Sequence, residues 1–214
     1  MTTHDRPSAT SLILIPSLVT FGVTLLRLVG ELNQWSPLFF SRQAGGRGAI
    51  VGITWLVLVF GWYFGAKLAR GESGPGGRAV VHALLAVVLA AGAGFFVAKG
   101  LHKGASAVIP TVMVMGLIGS WIVWRGWPTL ARTLLLYGVA ARVPVIVVML
   151  VAMLQNWGTH YDVVPPGYPA DTPVITKWIQ IGVMPQLFLW IPFTIIVGGL
   201  FGGIARLVVG PRNR

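Results

Sequence analysis

Residues 134–154 read LLLYGVAARVPVIVVMLVAML, a run in which Arg142 is the only charged side chain. A helix of about 20 apolar residues, rising about 1.5 Å per residue, crosses a bilayer core of about 30 Å, so this run predicts a membrane span. Five further windows have the same character, and the six together cover residues 11–30, 48–69, 79–99, 105–124, 134–154 and 184–208. The remaining segments are short and rich in Gly and Pro, with too little apolar sequence for a separate core. The predicted fold is an all-α integral membrane protein, a bundle of about six transmembrane helices forming a single polytopic domain over residues 1–214.

Arg142 is compatible with insertion. An arginine at the centre of a span costs about +2.5 to +3.5 kcal/mol, and each Leu, Ile or Val returns about −0.3 to −0.6 kcal/mol, so the aliphatic residues of 134–154 outweigh it. Pro144 has no N–H, which frees the carbonyl of Ala140, and a guanidinium two residues away carries donors that can reach it. Helical side chains also slant toward the N-terminus, so a span beginning at Leu134 lets Arg142 snorkel part of the way to that end. Two readings of Arg142 follow: a buried arginine satisfied by carbonyls and water, or a ligand-binding residue that meets an anion or headgroup in a polar cavity. Arg27, near the far end of the first span, should differ from it in depth by about 13 Å and therefore lie outside its site.

The chain is 55% hydrophobic and 10% charged, with net charge +11. That excess of cations does not indicate nucleic-acid binding, because the basic residues sit at span ends, where they set topology. With the N-terminus inside, Arg6, Lys67, Arg70, Arg78, Arg125, Arg132, Arg206, Arg212 and Arg214 are inner, against Arg27, Arg42, Arg47, Lys99, Lys103 and Lys177 outside. Nine against six, with Asp162 and Asp171 in the longest loop, leans to an N-in, C-in arrangement. The expected partners are the lipid bilayer, whose anionic headgroups would attract the basic ends, and other membrane subunits or a second copy. The expected location is a bacterial plasma (inner) membrane. The first span runs through Val29 without a small-x-small cleavage site and reads as an uncleaved helix. Cysteine is absent, which removes disulfides, covalent c-type haem and iron–sulfur clusters.

Between the spans, Ser36-Pro37 is a good helix start and Leu38, Phe39 and Phe40 supply apolar surface, so a short interfacial helix is expected there. GESGPGGR, residues 71–78, reads as a flexible connector, and residues 159–173, with four prolines and two tyrosines, as a loop packed at the headgroup level. LVGELNQW at 28–35 and LVAMLQNW at 150–157 share Leu, Val, Leu and Trp in register, which raises a parallel duplication of two hairpins.

Chemistry is sparse. Gly61 and Gly65, and Gly198, Gly199, Gly202 and Gly203, repeat at four-residue spacing and predict close helix packing, within the chain or between copies. Of the four histidines, His4, His82, His102 and His160, only His82 falls in a span, and His102 lies about 30 Å further along the same direction, so neither bis-histidine haem nor any other cofactor or metal is expected. Ser120 follows Gly116 by four residues and has no histidine at membrane depth on another helix to take its proton, so a serine-protease reading is set aside and no catalytic residue is assigned. Arg27 and Glu31, four apart, are expected to form a structural ion pair in the membrane interface at the end of the first span. The expected function is a non-enzymatic accessory or assembly component of the membrane. The alternative is a small transporter or channel for an anionic or small solute, with Arg142 in its path.

Overall fold

The computed structural model describes residues 9–46, 48–71 and 75–209. Arg6, Arg47, Arg212, Arg214, His4 and part of the 71–78 connector lie outside them. Among the described residues there is no strand. The helices are α1 (Ala9–Leu32), α2 (Leu56–Gly71), α3 (Gly76–Phe95, prolonged by a π turn to Gly100), α4 (Ala105–Gly126), α5 (Pro128–Gln155) and α6 (Val174–Val209). Five of these, all but α2, are long and apolar enough to cross a membrane.

The expected span at 48–69 is corrected. Helix begins only at Leu56, so α2 has 16 residues and a length of about 24 Å. Apolar content alone does not make a helix when Gly45, Gly46, Gly48 and Gly52 punctuate the approach to it. Three of them, Gly45, Gly46 and Gly48, take left-handed φ of 70° to 76°. Residues 50 and 51 instead donate their N–H groups to the carbonyls of Leu38 and Phe39. The interfacial helix expected after Ser36-Pro37 is likewise only a turn, closed by bonds from Phe39 and Phe40 to the Ser36 carbonyl. Phe40 folds back onto Gly30, where any side chain would collide with its ring.

At the other end of the chain the spans are longer than expected. Pro128 occupies the first turn of α5, where its missing N–H costs nothing, so this helix starts six residues before Leu134. α6 begins at Val174, not at 184, and includes two π-wound stretches, Trp178–Val183 and Gln186–Trp190, on either side of Pro185.

α6 is the packing centre, and its glycines explain why. A Cβ on Gly61 would lie 2.6 Å from the Gly198 backbone, and one on Gly65 would run into Gly202, so α2 and α6 touch main chain to main chain. Cβ atoms on Gly198, Gly202, Gly199 and Gly203 would meet, in turn, Leu134 and Leu130 of α5, Val123 of α4 and Val80 of α3. All six glycines singled out in the sequence are therefore used within one chain. Beside them, Tyr137 of α5 packs edge-on to Phe60 and Phe64 at 5.5 and 5.4 Å, and its hydroxyl meets Thr20 Oγ1 at 2.8 Å. Thr20 gives its own proton to the Pro16 carbonyl, so Tyr137 is the donor. The outward faces carry bare apolar side chains such as Val88, 70% exposed, and Phe95, 69% exposed. A surface of this kind is stable in hydrocarbon and costly in water.

The segments 28–35 and 150–157 end their helices in the same way. Gln34 and Asn156 both adopt left-handed φ, 55° and 52°, and the next tryptophan N–H returns to the carbonyl five residues back. The hairpins that follow are unalike, because α1 barely touches α2 whereas α5 packs along α6. The likeness is one of helix termination.

Candidate functional site

A cavity of about 790 Å³ lies among α1, α4, α5, α6 and the loops 33–55 and 156–173. Arg142 forms part of its wall at depth. Fourteen residues separate it from Pro128 and thirteen from Gln155, so it sits at the middle of α5, about 20 Å from either end. The earlier start of α5 removes the snorkelling expected for Arg142, since a side chain of this length cannot cover that distance.

Arg142 is 4% exposed. Nη1 donates to Gln186 Oε1 at 3.3 Å, and the Trp190 ring lies 4.9 Å from the guanidinium carbon. Nε is buried with no hydrogen-bond partner. Its recorded partner is thus Gln186, not the Ala140 carbonyl expected from Pro144, and no carboxylate among the described residues pairs with it. The local winding of α6 accounts for this arrangement. Gln186 and Trp190 span one π stretch directly after Pro185, and a π turn rotates both away from the positions a regular helix would give them. Gln186 itself is buried, with Nε2 3.9 Å from Met149 Sδ.

Near the ends of α1 and α5 the same cavity is bounded by Arg27 and His160. Glu31, fully buried, accepts three hydrogen bonds, from Arg27 Nε at 2.7 Å and from the His160 backbone N–H and Nδ1 at 2.8 and 2.5 Å. A buried carboxylate is tolerable only when its oxygens are supplied in this way. The Arg27–Glu31 ion pair is present, but it is an interior pair and not an interfacial one. Arg27 Nη2 also donates to the carbonyls of Ser41 and Gly46, each at 3.2 Å, tying the Gly-rich turn to α1.

The 156–173 loop brings His160 to this point. Asp162 accepts from the N–H groups of Gly158 and Thr159 and from the Thr159 hydroxyl, folding the loop into a tight turn. Tyr161 then donates its hydroxyl to the Thr24 carbonyl at 3.1 Å. Burial pushes the His160 imidazole below its usual pKa, with its hydrogen bond to Glu31 opposing the shift, and burial raises the Tyr161 phenol.

Arg27 and Arg142, expected at separate sites, line one cavity. Counted along their helices they still differ in depth by about 12 Å, so the cavity is extended along the bundle. Ile53 and Thr54, from the stretch read as the start of the second span, also face it. His160, Gln186 and Trp190 were not singled out in the sequence, although a glutamine inside a span is a signal that could have found Gln186. His82 is half-buried and bonds the Arg78 carbonyl, and the Ser120 hydroxyl bonds the Gly116 carbonyl of its own helix; neither lines the cavity. Comparison with protein-family models, curated proteins and solved structures gives no match.

Proposed function

We propose that this is a multi-pass protein of a bacterial plasma membrane, N-in and C-in, that admits an anionic ligand to the cavity and holds it against Arg142, as a small transporter or channel. The observation that carries this reading is a buried guanidinium at mid-helix with no carboxylate partner and a free Nε. An uncompensated charge at that depth is costly unless a counter-ion or water reaches it. The accessory-subunit reading drew on small-residue faces and on the lack of a reactive constellation; of these, the glycine faces are occupied inside the chain.

The absence of cysteine makes the test direct. Single cysteines at Ile53 and Met149 should react with a water-soluble thiosulfonate, and cysteines at the lipid-facing Val88 and the packed Ala83 should not. A panel of anions should raise the melting temperature of the wild type and not that of Arg142→Leu. Unreactive cavity cysteines, or equal anion stabilisation in the leucine variant, would overturn the proposal.

A further inference from the structure

We propose that the cavity takes an amphiphilic monoanion, a single carboxylate or phosphodiester group carrying a hydrocarbon chain, with the charge at Arg142 and the chain along the walls of α4, α5 and α6. This names the ligand class for the anion site above and rests on that reading.

The charge of the wall sets the charge of the ligand. Its ionisable lining residues are Arg27, Arg142, His160 and Tyr161, and the Tyr161 phenol, raised by burial, carries no charge. Arg27 is neutralised by Glu31, and its remaining bonds go to backbone carbonyls. His160, shifted down by burial, is neutral near pH 7. One positive charge remains, that of Arg142. A monoanion balances it, whereas a dianion would leave a net negative charge in a medium of low dielectric.

The lining sets the rest of the molecule. Around and above Arg142 the cavity is walled by Ile109 and Met113 of α4, Val145 and Met149 of α5, and Ile181 and Leu189 of α6. A small hydrated anion would leave these side chains facing water, while an alkyl chain would cover them. A volume of about 790 Å³ is that of a site for a sizeable organic ligand. Methionine suits such a wall, since its unbranched thioether adapts to a flexible chain. The charged end has a fixed seat, because Gln186 holds one guanidinium nitrogen, Trp190 covers the group and Nε is left to donate.

The test uses the full chain in phosphatidylcholine nanodiscs. The probes are a sixteen-carbon carboxylic acid with a diazirine in its chain, its methyl ester, and a phosphatidylglycerol with the same photoreactive group. Labelled residues are mapped by mass spectrometry. The acid or the phosphatidylglycerol should label Ile109, Met113 or Met149, and whichever labels more strongly identifies a free acid or a bilayer lipid as the source. The ester should label these positions at least about tenfold less, as should Arg142→Gln, while Arg142→Lys retains labelling. Met113→Trp, which keeps the cation and fills chain space, should also lose it. Equal labelling by acid and ester, or labelling confined to outward residues such as Val88 and Phe95, overturns the amphiphile. Should acetate or inorganic phosphate raise the melting temperature through Arg142 while neither amphiphile labels the cavity, the ligand class is wrong and the anion site stands. If no anion of any kind acts through Arg142, both fall.

Discussion

His160 and Glu31 are 129 residues apart in the chain and joined by two hydrogen bonds, one from the histidine main chain and one from its ring. Through them a loop that walls the cavity is fastened to the end of α1. Removing the ring leaves a buried carboxylate with fewer donors. His160→Ala should therefore lower stability and free the loop, read as faster hydrogen exchange at residues 159–164. Arg27→Met, which strips Glu31 of its cation, should cost about 3–5 kcal/mol in thermal or denaturant unfolding.

The His160 pKa gives the sign of a pH effect. Because the folded pKa lies below the ordinary 6.5, the unfolded chain binds the proton more readily. The contribution of this group to stability is therefore complete above about 6.5 and is lost as pH falls through that value toward the folded pKa. The melting temperature should drop between pH 7.5 and 5.5, and His160→Gln should flatten that dependence. An unchanged pH profile in the glutamine variant would remove His160 as its source.

The α2–α6 crossing should be intolerant of a single methyl group. A Cβ at Gly61 meets main chain at 2.6 Å, which cannot swing aside as a side chain would. Gly61→Ala should cost about 1–3 kcal/mol. Gly22→Ala, with nothing within 4 Å, should be neutral or slightly stabilising by its helix propensity. Unfolding of the two variants in the same detergent makes the comparison.

Tyr137 and Thr20 form a buried polar contact between α5 and α1. Tyr137→Phe should destabilise by about 1 kcal/mol while keeping the ring contacts with Phe60 and Phe64. A double-mutant cycle with Thr20→Val should show coupling, since Tyr137 is the donor and Thr20 the acceptor.

Arg142 should separate function from folding. Arg142→Leu replaces a costly buried cation by an aliphatic side chain, so it should express in membranes and unfold at or above the wild-type temperature while losing anion binding. Gln186→Leu leaves the cation in place with one partner fewer and should weaken binding by about tenfold. A leucine variant that binds anions as well as the wild type would sink the proposed function.

The sequence by itself determined the class of fold, because span length and apolarity are properties of each segment alone and hydrocarbon selects for them locally. It also held the Arg27–Glu31 pair, four residues apart on one helix, and the glycine faces, whose spacing is set by helical geometry. It did not show where α2 begins, since hydropathy cannot weigh the left-handed glycines at 45, 46 and 48 against apolar neighbours. Only the tertiary structure decided that Arg27 and Arg142 share a cavity, that His160 crosses 129 residues to reach Glu31, and that π winding turns Gln186 and Trp190 toward the guanidinium. Those outcomes depend on how helices are rotated against one another and how a loop is tied down, and such relations arise only when distant segments meet.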